Sequence, residues 1–126
     1  MNIVLAIAFG GGLGAVMRHY AVALVTAVMG QGFPYGVLLV NVLGSFLIGF
    51  LMELAALKWQ APLEVRAFLV TGVLGGFTTF SAFSFDVFRL AETGEYVSSI
   101  VYAASSVMLS IIAVFMAVYL VRGVLG

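Results

Sequence analysis

The chain consists of four long apolar stretches, separated by short segments that contain Gly, Pro and charged residues. The stretches cover about residues 3–29, 35–57, 63–90 and 96–121. One helix needs about 20 apolar residues to cross the hydrocarbon core of a bilayer, so each stretch is long enough for one crossing. Four crossings leave little of the 126 residues for anything else. The sequence therefore predicts a single all-α domain, residues 1–126, with four transmembrane helices.

Composition agrees with a membrane protein and argues against several other classes. Hydrophobic residues make up 64% of the chain, whereas soluble domains average about 45–50% apolar residues. Charged residues make up 8%, against about 25% in soluble domains. The net charge is zero, which removes the electrostatic case for a nucleic-acid partner. The chain has no cysteine and one histidine, His19, so thiolate and His-based metal sites are not expected. We therefore do not expect an enzyme.

The third stretch contains a segment that is poorly suited to a continuous helix. Residues 75–79 read Gly-Gly-Phe-Thr-Thr and fall near the bilayer midplane. A broken helix is tolerated in a membrane only where its freed backbone groups are buried in protein or line a cavity, and freed carbonyls are ready cation ligands. The alternative is an unbroken helix whose glycines serve close packing. We favour the break because it combines the glycine pair with hydroxyl residues.

Small residues spaced four apart predict close helix packing in the first two stretches. Gly10 and Gly14 have this spacing, as do Ser45 and Gly49. The glycine run at 10–15 also matches a degenerate dinucleotide-binding pattern. That pattern requires a βαβ unit, which an apolar helix does not supply, so packing is the preferred interpretation.

Polar side chains inside the stretches are candidates for an ion pathway. Asn41 is the only asparagine within a stretch, and its amide either bonds a neighbouring helix or lines a pore. Hydroxyl residues recur every four positions in the fourth stretch and form one stripe on a helix: Ser98, Tyr102, Ser106 and Ser110. The stripe indicates either a polar track for a small solute or hydrogen bonds between helices, and both interpretations stay open.

Two phenylalanines, Phe80 and Phe83, follow the predicted break on one helix face. The edge of an aromatic ring is positive, so ring edges turned toward a path attract an anion weakly. Weak attraction suits a pore, because a bound ion must also leave. The alternative is that these rings face lipid or the protein core. Ionisable residues within the apolar stretches are further candidates: Arg18 indicates an aqueous vestibule or a counter-ion. Glu53 and Asp86 are candidate buried acids, but Glu53 could instead lie near an interface, and Asp86 could cap a helix or pair with an arginine.

Together these residues resemble the Fluc (CrcB-type) fluoride channels. The resemblance rests on Gly-Gly-Phe-Thr-Thr-Phe-Ser-Ala-Phe-Ser at 75–84, on Val40-Asn41 followed by Gly44, and on the Gly-rich first stretch that carries Arg18. It extends over essentially all 126 residues. It implies a dual-topology, antiparallel homodimer in the bacterial inner membrane, with two pores that export fluoride passively.

The resemblance also implies roles for particular residues. It implies this fluoride pathway: Asn41, Thr79, Phe80, Phe83, Tyr102, Ser106 and Ser110. It implies a structural sodium ion at the dimer centre, held by the main-chain carbonyls of Gly75 and Thr78, and a position near the vestibule for Arg18. The sequence departs from the family pattern at Val37, Ala82 and Asp86, where a hydroxyl residue, a threonine and a glutamate are common.

Two other hypotheses compete with a fluoride channel. Small proton-coupled multidrug exporters are also four-helix, dual-topology dimers, but they need a carboxylate in the first helix. Residues 3–29 contain no acidic residue. A non-transporting assembly subunit would explain the packing motifs but gives the broken third stretch no role.

The distribution of basic residues predicts only a weak preference for one orientation. Lys58, Arg66 and Arg122 fall on the side of the N-terminus, and Arg89 falls on the opposite side. Lys and Arg near the helix ends set orientation, and a difference of three to one is small. We therefore expect insertion in both orientations.

Overall fold

Four helical segments of the protein are long and apolar enough to cross a membrane, and they correspond to the four apolar stretches of the sequence. The structure, a computed structural model, describes residues 2–126. Helix α1 spans Ile3–Met29, α2 spans Tyr35–Leu57, the interrupted third span covers Leu63–Glu92, and the last helix covers Tyr96–Leu125. The prediction of an all-helical chain with four membrane-spanning helices is confirmed.

The first half of the third span is not a regular α-helix. It begins with α3, Leu63–Arg66, continues as a π-helix over Ala67–Leu74, and ends in the short helix α4, Gly75–Phe77. Hydropathy does not predict the π-helix, because a change from i→i+4 to i→i+5 hydrogen bonds leaves the apolar composition unaltered.

The predicted break lies at Thr78 and Thr79. Both residues are extended, with φ/ψ of −89°/158° and −151°/120°. Helix α5 then continues as Phe80–Glu92, and the side chain of Thr79 accepts a hydrogen bond from the N–H of Ala82 as its N-terminal cap. The third span is therefore two helical halves joined by an extended dipeptide, and the alternative of an unbroken helix is wrong.

Glycines bring α1 directly against the first half of the third span. A Cβ at Gly14 would overlap the carbonyl oxygen of Val73 and lie 2.9 Å from the amide nitrogen of Phe77. A Cβ at Gly72 would lie 2.9 Å from the Cα of Gly10. These backbones can touch only because no side chain separates them. The packing interpretation of the glycine run is confirmed.

The second and fourth spans pack in the same way. The last helix, α6, is Tyr96–Leu125, and its Val114 carbonyl would lie 2.9 Å from a Cβ at Gly49 of α2. Buried side chains on the facing surface of α6 are small or β-branched: Ala113, Ala117 and Val121. A second cluster joins α2, α5 and α6 through Val37, Phe83 and Tyr102.

We expect Gly14→Ala to destabilise the fold, because its methyl group would overlap the Val73 carbonyl. Overpacking of this kind costs about 1–3 kcal/mol. The thermal unfolding midpoint of the purified protein in detergent measures the effect. Gly12→Ala is the matched control, since a Cβ at Gly12 meets nothing within 4 Å and the change favours a helix. Equal midpoints for the two variants would show that the close approach of α1 is not needed.

Candidate ion-binding cleft at the helix break

A cleft of about 400 Å³ lies beside the break in the third span. Its walls come from α2, α6 and both halves of the third span. Its lining includes most residues of the fluoride pathway that the sequence suggested: Asn41, Thr79, Phe80, Phe83, Ser106 and Ser110. Gly75 and Thr78 line it as well, whereas Tyr102 and Arg18 do not. The fold therefore gathers residues from positions 41 to 110 around the break.

The side chain of Asn41 pairs with the backbone of Thr79 through both of its polar atoms. Its Oδ1 accepts from the Thr79 N–H at 2.7 Å, and its Nδ2 donates to the Thr79 carbonyl at 2.9 Å. A side-chain amide has two N–H donors, so one remains available to the cleft. Asn41 thus bonds the backbone at the break, as the packing interpretation expects, and it also lines the cleft. Its role as a donor in a pore stays a prediction.

These side chains redirect the hydrogen bonds of the third span. In a continuous helix the N–H of Thr79 would bond the carbonyl of Gly75, and the N–H of Ala82 would bond the carbonyl of Thr78. Here Asn41 Oδ1 takes the first donor, and Thr79 Oγ1 takes the second at 3.1 Å. The carbonyls of Gly75 and Thr78 lose their helical donors as a result. They are the carbonyls implied as sodium ligands, and main-chain oxygens are suitable donors for such an ion.

Arg18 reaches the same break from α1. Its Nε donates to the carbonyl of Gly76 at 3.1 Å, and its side chain is half-buried. In a continuous helix this carbonyl would accept from the N–H of Phe80, which begins the next helix. Arg18 therefore contacts the backbone before the break.

The two phenylalanines after the break occupy different environments. Phe80 is 76% exposed at the rim of the cleft, whereas Phe83 is 8% exposed and forms its wall. The ring centroids are 5.4 Å apart, and the Phe83 ring also lies 5.3 Å from the Tyr102 ring. Phe83 therefore belongs to both the cleft lining and the core cluster. The attraction of an anion by its ring edge stays a prediction.

Tyr102 lies behind Phe83 and is fully buried. Its hydroxyl donates to Asp86 Oδ2 at 3.1 Å, and the Oδ1 of that carboxylate is 3.5 Å from Arg89 Nη2. Asp86 and Arg89 also line a second cavity of about 510 Å³, formed with the loop between α1 and α2. Asp86 thus lines this cavity, and Tyr102 connects Asp86 to the ring of Phe83.

The hydroxyl stripe on α6 faces the cleft in part. Ser110 lines the cleft, and Ser106 is 5% exposed with a hydroxyl that has no hydrogen-bond partner among residues 2–126. Sequence periodicity missed Ser99, which is buried and donates to the carbonyl of Val87 on α5 at 2.8 Å. Its neighbour Ser98 was expected in the stripe, but a spacing of four does not reveal which of two adjacent serines meets α5.

The other residues singled out in the sequence lie away from the cleft. Glu53 is paired with Arg122 of α6, with 3.1 Å between Oε1 and Nε. His19 is exposed and contacts the ring of Tyr20 edge-on. Val37 and Ala82, at departures from the family pattern, pack against the core cluster and do not line the cleft.

The sequence matches known proteins along most of its length. The family described as CrcB-like protein, Camphor Resistance (CrcB) matches residues 5–118. A curated protein of Rhizobium meliloti (strain 1021), named fluoride-specific ion channel FluC, is 49% identical over 122 residues, which cover 97% of this chain and 98% of that protein.

Relatives from other bacteria carry the same name. The protein of Agrobacterium fabrum (strain C58) is 50% identical over 115 residues, 91% of each chain, and that of Rhodospirillum centenum (strain SW) is 46% identical over 122 residues, 97% of each chain. Coverage of this extent matches the whole four-helix arrangement and not one motif. The chain therefore belongs to the CrcB-like family of multi-pass bacterial membrane proteins.

Proposed function

We propose that this protein is a fluoride-specific ion channel. The observation that carries the proposal is the lining of the cleft, which holds two phenylalanine rings, hydroxyls and an amide but no Lys, Arg, Asp or Glu. Relatives that match nearly the whole chain bear the name of this activity. Ion flow through a channel makes and breaks no covalent bond, so the proposal includes no enzymatic reaction.

The cleft offers donors that are weak enough to release an anion. Fluoride is small and strongly hydrated, so a pore must replace its water with several hydrogen-bond donors placed close together. The free N–H of Asn41, the unpartnered hydroxyl of Ser106 and the positive edges of the two phenylalanine rings supply such donors. A ring of cationic side chains would hold the ion too tightly for conduction.

The direction of transport follows from the membrane potential. Moving one charge across 100 mV changes its free energy by about 2.3 kcal/mol, and an interior-negative potential drives an anion outward. A cell gains fluoride when the neutral acid crosses the bilayer and ionises in the cytoplasm. A passive channel therefore lowers cytoplasmic fluoride without coupling to protons.

The charged residues do not favour the alternative of a proton-coupled multidrug exporter. Such an exporter needs a carboxylate in its first helix, and α1 contains none. The carboxylates of Glu53 and Asp86 are each paired with an arginine. No carboxylate lines the cleft to exchange protons for a cationic drug.

We further propose that two copies assemble as an antiparallel homodimer with dual topology. Phe80 and Gly75 of the cleft lining are exposed, and Asn41 and Ser110 are half-buried, so an amide, a hydroxyl and a peptide group are accessible from outside one chain. Polar groups facing lipid are costly, and a second copy laid over the cleft shields them. In this arrangement the fluoride pathways include Phe80 and Phe83 of each copy.

The charge distribution supports insertion in both orientations. Lys58, Arg66 and Arg122 fall on the side of the N-terminus and Arg89 falls on the opposite side, a difference of three to one. Arg66 already belongs to α3, so it contributes less to this difference than a loop residue would. A bias of this size does not impose one orientation.

We also propose a structural sodium ion at the centre of the dimer. The carbonyls of Gly75 and Thr78 would hold it, since both have lost their helical donors and both residues line the cleft. When bound, the ion would supply positive charge to these carbonyls near the midplane. Because the ligands are main-chain atoms, the proposal depends on the break and not on a particular side chain.

We expect Phe80→Ile and Phe83→Ile to reduce fluoride efflux from liposomes at least about tenfold, the change that about 1.4 kcal/mol of lost barrier stabilisation produces. Isoleucine keeps an apolar side chain but removes the ring edge that attracts the anion. A fluoride electrode measures the efflux, and a chloride electrode measures selectivity in the same vesicles. Phe→Met should be milder, because a polarizable thioether substitutes in part.

Phe85→Ile is the matched control for both variants. Phe85 lies on the same helix, is 61% exposed and does not line the cleft. It should conduct at the rate of the unmodified protein. If the variants at Phe80 and Phe83 also conduct at that rate, the ring-edge mechanism is wrong. If the unmodified protein releases no fluoride, the proposed function is wrong.

We expect C-terminal reporters for both compartments to give signal, because the orientation bias is weak. Adding three lysines to the segment at 58–62 should bias insertion to one orientation and reduce fluoride resistance in cells. A second copy biased by lysines in the segment at 93–95 should restore resistance when co-expressed. A clean one-sided signal from the unmodified protein that nevertheless conducts would rule out dual topology.

We expect sodium to stabilise the purified protein, because an ion bound only by the folded state raises the free energy of unfolding with its concentration. The thermal midpoint should rise when choline is replaced by sodium at constant ionic strength. Thr78→Ser should respond almost equally, since it keeps the carbonyl and the hydroxyl that bonds Leu74. A midpoint that does not depend on sodium would contradict the site.

A further inference from the structure

The break in the third span is bonded by side chains from two different helices. Asn41 of α2 pairs with Thr79, inside the break, and Arg18 of α1 bonds Gly76, just before it. These contacts link residues 38 and 58 positions apart in the sequence. Arg18 is therefore placed to act on the conformation of the break.

The packing of α1 against the third span places Arg18 next to the break. Gly10, Gly14 and Arg18 are four residues apart and lie on one face of α1. The two glycines contact the third span directly, at Gly72 and Val73. One turn later the glycine stripe ends, and the arginine side chain meets the helix end at Gly76.

The charge of Arg18 has a backbone partner and no carboxylate partner. The salt bridges within residues 2–126 involve Arg89 and Arg122. The carbonyls at the end of the first half of the third span carry the negative end of its helix dipole. A basic side chain near a helix C-terminus can hydrogen-bond the last carbonyls, which in a membrane have few other partners.

We propose that Arg18 is a positioning residue, whose Nε–H caps the carbonyl of Gly76 and holds the third span in its broken conformation. Its effect on conduction is exerted through the break and not by contact with the anion. The Nε–H of Arg18 satisfies the Gly76 carbonyl, which has lost the donor a continuous helix provides. The effect on conduction rests on the proposed function, whereas the effect on the break does not.

The alternative role, a vestibule cation that concentrates anions, makes different predictions. A vestibule cation acts through its charge, so lysine would replace arginine fully, and its loss would matter most at low ionic strength. A cap acts through a donor at a fixed place. Lysine has a methylene where Arg18 has Nε, so it would replace arginine only in part.

The test compares Arg18→Gln and Arg18→Lys in the full-length protein. The first measurement is amide hydrogen exchange over residues 77–83, which include the Thr79 N–H held by Asn41. We expect the exchange rate to rise about tenfold or more in Arg18→Gln and by a smaller factor in Arg18→Lys. Without the bond to Gly76, the hydrogen bonds that fix the conformation of the break are lost transiently more often. His19→Gln is the control, since it is adjacent and exposed and should exchange like the unmodified protein.

The second measurement is fluoride efflux from liposomes as a function of fluoride concentration at two ionic strengths. We expect the maximal rate to fall in both Arg18 variants while the half-saturating concentration stays unchanged at both ionic strengths. A raised half-saturating concentration in Arg18→Gln at low ionic strength, with normal efflux in Arg18→Lys, would establish the vestibule cation and overturn the cap.

Exchange that is unchanged over residues 77–83 in Arg18→Gln would also overturn the proposal. If Arg18→Gln does not fold, the exchange rates of Arg18→Lys are the test. Unchanged exchange over residues 77–83 in Arg18→Lys would then overturn the proposal that Arg18 caps the Gly76 carbonyl. A failure of the unmodified protein to conduct fluoride would refute the proposed function. The exchange measurement would still test whether Arg18 stabilises the break, because it does not depend on conduction.

Discussion

The structure depends on one constraint, that a backbone N–H or C=O without a partner is costly in hydrocarbon. The third span opens its own helix at Thr78 and Thr79 and so frees several such groups. Side chains from outside and inside the span supply the missing partners: Arg18, Asn41 and Thr79 itself. Two carbonyls, of Gly75 and Thr78, lose their helical donors in this exchange, and both residues line the cleft.

The local features were predictable from the sequence, and the long-range pairings were not. The glycine pair and threonines at 75–79 predict a break because they are poor helix formers at the midplane. The identity of the partner groups follows from tertiary structure, because Asn41 and Thr79 are 38 positions apart. A lone asparagine among apolar residues signals that it has a partner without indicating which one. For the same reason the hydrogen bond from Arg18 to the carbonyl of Gly76 could not be predicted without the fold.

Charge is arranged so that the cleft stays neutral. Arg89 and Arg122 are paired with carboxylates on α5 and α2. Arg18 donates its Nε–H to the carbonyl of Gly76 and does not line the cleft. In the proposed pathway, an anion in the cleft is surrounded by an amide, hydroxyls and phenylalanine rings, and it is not bound tightly by a full positive charge.

The proposed dimer and the proposed anion pathway depend on the same polar groups. Exposed apolar side chains, such as Phe80, do not drive association in a bilayer, because lipid tails solvate them as well as another protein does. Gly75 is different, because it is exposed, its carbonyl has lost its helical donor, and lipid offers that carbonyl no hydrogen bond or ionic contact. A chain with a continuous third helix would keep this carbonyl bonded within the helix. In the proposed dimer, opening the helix therefore provides both the carbonyl ligands of the proposed sodium ion and a polar surface that the second copy covers.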